Sequence, residues 1–132
     1  MIPEPLPKEV RELIALHLAT MEHVEILLLL ARDAARAWTA PAAAAELRGS
    51  IASTTAKLEA LAAAGLAARD KQAEGTLYRY VPSTAALRSA VSSLADVYRL
   101  RPVTLVRAIY DRPPPAVKSF ADAFDPEGLE ED

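Results

Sequence analysis

Apolar residues fall three and four apart along most of the chain, and they change to alternation in one place. Val10, Leu13, Ile14 and Leu18 make one stripe in KEVRELIALHLATM, which predicts an opening helix of about three turns behind an extended, proline-rich start. EHVEILLLLARDAARAW predicts a second helix. Its successive apolar residues Ile26 to Leu30 cover more than one face, so it belongs at the centre of the core. Thr20 is placed to cap it, with Glu22 and Glu25 near the positive end of the helix dipole. WTAPAAAAELRG predicts a short third helix, with Thr39 as cap, Pro41 in the first turn and Gly49 as the stop. Ser50 then caps a fourth helix, from about Ile51 to Ala64. Ile51, Thr55, Leu58 and Leu61 are expected on its inner side, and Gly65 ends it with left-handed backbone.

Helical spacing then gives way. LAARD and TLYRYVP read as two strands joined by KQAEG, with Tyr78 and Tyr80 on one face. A hairpin this short is marginal alone, so those tyrosines are expected to pack it on the helices. Pro82 and Ser83 break the second strand and are expected to cap a long helix at about residues 84–100. In it Leu87, Val91, Leu94 and Tyr98 alternate between spacings of four and three, the narrow seam that pairs helices. VTLVRAIYD and AVKSFADAF predict two further short helices on either side of RPPP.

Composition narrows the chemistry. The chain has 132 residues and no cysteine, which excludes disulfides, thiolate metal sites and cysteine nucleophiles. No nucleophile elbow or phosphate loop is present, and no cofactor is called for. His17 and His23 stand six apart on different helices, whereas helical metal pairs stand three or four apart. An enzyme is therefore not expected. The N-terminus has acids and prolines where a signal peptide needs a basic start and an apolar run, and ILLLLA is far shorter than the ~20 residues of a membrane span. A cytoplasmic protein is expected.

Charge is uneven. Net charge is −3, yet residues 122–132 hold six acids and no base. Residues 1–121 carry 15 bases against 12 acids. The expected organisation is one domain over residues 1–121, with its core at 21–82, and a solvated acidic tail at 122–132.

In order, the elements are helix, helix, short helix, turn, helix, hairpin, long helix. HVEILLLLARD, WTAPAAAAELR, SIASTTAKLEALAAAGLAAR and LYRYVP, with the step Leu58, Leu61, Gly65, Leu66, resemble the bacterial winged-helix transcription regulators in the broad MarR-like sense. The resemblance covers about Met21 to Pro82. It implies a mainly α fold, an α+β winged helix-turn-helix with a two-stranded wing and additional terminal helices. It also implies a DNA-binding transcriptional regulator acting as a homodimer on double-stranded DNA.

On that reading Ile51 to Ala64 is the recognition helix, showing Ser50, Ser53, Thr54 and Lys57 to the major groove. The wing supplies Arg69, Lys71, Gln72 and Arg79, and Arg48 adds a phosphate contact. The recognition helix departs from a usual reader in holding no arginine, asparagine or glutamine, the bidentate base-edge residues. Leu87, Val91, Leu94 and Tyr98, closed by Phe120 and Phe124, form the expected dimer interface. Trp38 is expected to wedge between helices, and Arg99, Arg101, Arg107 and Arg112 to make a second basic patch or a solvated surface. The other class of function is a winged-helix module that binds a protein partner without reading DNA.

Overall fold

The computed structural model describes residues 6–111; the predicted AVKSFADAF helix, Arg112, Phe120, Phe124 and the acidic tail lie outside them. Among the described residues there are six helices and one two-stranded antiparallel sheet.

Helix α1 (Lys8–His17) buries Val10, Leu13 and Ile14. Helix α2 (Met21–Arg32) starts at Thr20, whose hydroxyl accepts from His23 N–H while Thr20 N–H donates to His23 Nδ1. This is a reciprocal capping box with histidine in the place usually held by Glu or Gln. His23 is thus a helix cap. Val24, Ile26, Leu27, Leu29 and Leu30 are buried all round α2, as its unbroken apolar run requires.

Helix α3 (Ala40–Leu47) is capped by Thr39, which accepts from Ala42 N–H. Its stop differs from the expected one. Arg48, and not Gly49, takes the left-handed conformation, at φ 59°. Gly49 matters for clearance, since a Cβ there would stand 3.3 Å from Glu22 Oε2 and 3.4 Å from Thr54 Oγ1. Helix α4 (Ile51–Ala63) is capped by Ser50 and closed at Gly65, φ 79°. Gly65 N–H donates to Ala62 O and Leu66 N–H to Leu61 O, with Leu61 and Leu66 both buried beneath them. That is the Schellman arrangement, which satisfies the last carbonyls and turns the chain into the wing.

Strand β1 (Ala67–Gln72) pairs with β2 (Gly75–Tyr80) in a register running from Ala67↔Tyr80 to Gln72↔Gly75, so Ala73 and Glu74 make a two-residue turn. Trp38 adds a one-residue third strand, exchanging both backbone hydrogen bonds with Tyr78 at 2.8 Å. It is buried and belongs to the wing's base, while the Arg36 guanidinium covers its ring at 3.5 Å. Its side chain lies in the hydrophobic core and borders a small cavity with Leu29 and Arg32 of α2 and Glu46 of α3, in keeping with the expected position between helices.

Helix α5 (Ala85–Leu100) is capped by Thr84, which accepts from Leu87 N–H, and not by the expected Ser83 one residue earlier; it buries Ala90, Val91, Leu94 and Val97 against α1 and α2. Helix α6 (Pro102–Tyr110) folds back on α5 and α1 with Leu105 and Ile109 inward. No single described helix is long and apolar enough to cross a membrane.

Candidate nucleic-acid interface

Helix α4 packs against α3, α2 and the first strand of the hairpin, so these elements make one unit. The inner row of α4 is Thr54, Leu58 and Leu61, all buried. Thr54 is only 1% exposed, so it faces the α3–α4 turn and not a groove. Ile51, expected inward, is 55% exposed. The two candidate rows, 51–55–58 and 54–58–61, share Leu58 and the same spacing. The structure takes the second row, with Thr54 buried close to Gly49. Thr55 is half-buried, and its hydroxyl donates back to Ile51 O at 2.7 Å. The open front of α4 is therefore Ile51, Ala52, Ala56, Ala60 and Ala63, edged by Ser50.

The polar groups of α4 are held by a residue the sequence reading did not assign to the site. Glu22, in the first turn of α2, accepts from Ser53 Oγ at 2.7 Å and pairs with Lys57 Nζ at 3.2 Å. Lys57 Nζ also donates to Ser53 Oγ at 2.9 Å, and its side chain is only 18% exposed. The Ser53 hydroxyl, and then Lys57, hold the Glu22 carboxyl below the usual carboxylate range against the opposing effect of partial burial. The available signal was Glu22 itself in a helix first turn, but only the fold brings it 31 residues along to Ser53.

Glu59 makes a second centre. It accepts from Tyr78 Oη at 2.5 Å and pairs with Arg69, joining α4 to the wing. Directly paired residues share a face of the sheet. Arg69, Lys71, Tyr78 and Tyr80 therefore lie on one face, and Gln72 and Arg79 on the other. Gln72 Nε2 donates to Asp70. Of the expected DNA contacts, Arg48, Lys71 and Arg79 are exposed cations with no ion pair among the described residues, while Lys57 and Arg69 are paired.

The expected dimer seam is corrected in part. Val91 and Leu94 are buried in the chain's own core, Leu87 is half-buried, and Tyr98 is open. Tyr98 lines a groove of about 740 Å³ between α2, α3, the end of β2 and α5. Leu28, Leu47, Tyr80 and Val91 form its apolar lining, and Arg32, Arg48 and Arg88 are among its charged residues. The exposed large apolar residues lie elsewhere: Leu16 of α1, Leu100 of α5, and Val103, Val106 and Tyr110 of α6. For the α6 residues the sequence signal was VTLVRAIY, which carries Val103, Val106 and Tyr110 in addition to the inward Leu105 and Ile109. Arg99 pairs with Asp96, and Arg107 is exposed on α6.

The arrangement defines a winged helix-turn-helix fold, with terminal helices packed around the long α5. The sequence matches no protein-family model and no curated protein. Solved structures agree on the fold. The adhesin competence repressor AdcR from Streptococcus pyogenes matches with a TM-score of 0.51 at 19% identity, over 91% of this chain and 89% of that one. RV1404 from Mycobacterium tuberculosis matches at 0.51 and 19%, over 94% and 84%. A MarR family protein from Bacillus stearothermophilus matches at 0.50 and 15%, over 95% and 84%.

Proposed function

We propose that this chain is a DNA-binding transcriptional regulator that acts as a cytoplasmic homodimer, with no catalytic activity of its own. The observation that carries the reading is α4, packed on α2 and α3 along one side and exposed along Ile51, Ala52, Ala56, Ala60 and Ala63, with a wing fixed beside it by Glu59, Tyr78 and Arg69. Arg69 is then a positioning residue. Arg48, Lys71 and Arg79 supply phosphate contacts. Cations on both faces of the wing suit a hairpin lying in a minor groove, with one phosphate strand on each side. Ser50 and Ser53 offer hydroxyls to phosphates or base edges. Ile51, Ala52 and Ala56 offer methyl groups, whose partner in the major groove is the thymine C5-methyl. The expected recognition by hydroxyls is thereby shifted towards apolar contact.

A second copy of the chain is the natural cover for Leu16, Leu100, Val103, Val106 and Tyr110. Two-fold pairing through these helices sets two α4 helices on half-sites roughly 34 Å apart.

The test is fluorescence anisotropy on DNA from upstream of the gene, at 50 and 200 mM salt, against scrambled DNA and against DNA with deoxyuridine for thymidine. With three cations in each protomer, affinity falls roughly a thousandfold over that salt range. Loss of the thymine methyls weakens binding to the preferred DNA and erases the preference. Salt-sensitive binding that ignores both sequence and deoxyuridine would reduce the protein to a nonspecific DNA binder.

The uncharged front of α4 favours one second reading, a winged-helix module for a protein partner. Absence of DNA binding by a dimer at 50 mM salt would select it.

A further inference from the structure

Glu22 sits where it competes with DNA for the polar groups of α4. Its carboxylate presents two anionic oxygens to Ser53 and Lys57, the hydroxyl and ammonium that α4 would offer to a phosphodiester. Gly49 leaves the space the carboxylate occupies, because any Cβ there would press on Oε2 at 3.3 Å. Lys57 is drawn down beside Ser53, and its side chain is largely covered. Neither partner is idle in the unbound protein.

We propose that Glu22 is an internal stand-in for a DNA phosphate, so that binding exchanges a carboxylate for a phosphate on Ser53 and Lys57. The inference rests on the DNA-binding reading above. Lys57 would move from one anion to another, and Glu22 would be released to water. A lysine that neutralises a phosphate sets free the cations condensed on DNA. Here the released Glu22 carboxylate recovers a counterion, which offsets that gain. Lys57 then contributes to affinity while leaving almost no mark on the salt dependence.

Three variants test this against the alternative that Glu22 only holds α4 in place. Glu22→Gln keeps an acceptor for Ser53 and removes the charge. It is expected to bind the preferred DNA more tightly. Its loss of affinity from 50 to 200 mM salt should also grow by roughly tenfold, from one extra phosphate per protomer of a dimer. Lys57→Gln in the native background is expected to weaken binding with the salt slope unchanged. Adding Lys57→Gln to Glu22→Gln should return the slope to the native value. Thermal unfolding of each variant establishes that it is folded, and Lys57→Gln carries the test alone if Glu22→Gln is not. Native-like slope and equal or weaker affinity in folded Glu22→Gln would overturn the exchange and leave Glu22 as a positioning residue, with the regulator reading intact. Unchanged affinity in Lys57→Gln would overturn it equally. No binding by native or variant protein at 50 mM salt would remove the DNA reading and the exchange together.

Discussion

Glu59 of α4 gathers two donors from the wing as Glu22 of α2 gathers two from α4, and the consequences appear in the titration of single residues. Burial, then the hydrogen bond to Glu59, push the Tyr78 hydroxyl up to about 12 from an ordinary 10.0. The same hydroxyl, followed by Arg69, holds the Glu59 carboxyl below its ordinary 4.5. Above pH 10 an unfolded chain releases the Tyr78 proton while the folded chain keeps it until about 12. The folded state then binds more protons, so this contribution to stability is full below pH 10 and lost as pH rises to about 12. Glu59 behaves oppositely. Its contribution is present above 4.5 and lost as pH falls through the lower folded value. Tyr78→Phe keeps the buried ring and deletes the titrating group. The variant is expected to lose less stability than the native chain between pH 10 and 12, read as Tm across an alkaline series. Parallel Tm curves over that interval would show that the Tyr78–Glu59 bond does not carry the linkage.

At the scale of elements, boundaries were legible because they are written in short-range chemistry. Thr20, Thr39 and Ser50 each cap the helix they were expected to cap, and Gly65 turns left-handed where α4 meets the wing. What a helix faces was less legible. The row through Ile51 and the row through Thr54 have equal claim from spacing, and the groups that meet Ser53 and Thr54, Glu22 and Gly49, come from outside the helix. The paired state of Lys57 and Arg69 was hidden for the same reason, since their acids lie on other elements or far along the chain. In α5 the spacing of Leu87, Val91 and Leu94 correctly announced helix pairing but could not name the partner. The structure gives Val91 and Leu94 to the chain's own α1 and α2 side, leaving Tyr98 at the groove. Leu94→Ala therefore tests packing within one chain. It is expected to cost about 2–5 kcal/mol in denaturant unfolding, the range for a buried leucine truncated to a cavity. The association state, followed by sedimentation at fixed concentration, should stay as it was. A folded Leu94→Ala chain that dissociates would restore α5 to the intersubunit seam.

At the scale of the molecule, the proposed regulator must hold DNA through a weakly charged surface. One protomer offers Arg48, Lys71 and Arg79 as unpaired exposed cations on the α3 end and wing, and α4 itself adds mostly methyl groups. Three phosphate contacts give modest affinity, and doubling them on one rigid body is worth far more than two separate events, because the second protomer binds at a high effective concentration. The fold provides a means to double them. Leu100 and Val103, 66% and 64% exposed, stand on either side of the bend between α5 and α6, with Leu16 of α1 also exposed at 73%. The proposed dimer would remove their surface from water by covering them with a second copy. A charge at their centre should prevent that without touching the core, since neither side chain is buried. Val103→Glu is expected to give a folded monomer by sedimentation, with the helical circular dichroism of the native chain. Its affinity for the preferred DNA should fall by about 100-fold or more, the loss of a linked second site. The salt dependence should fall with it, towards half the native slope, because half the phosphate contacts have gone. A Val103→Glu chain that stays dimeric would move the interface away from α6. A monomer that binds DNA with native affinity and slope would mean that one protomer suffices.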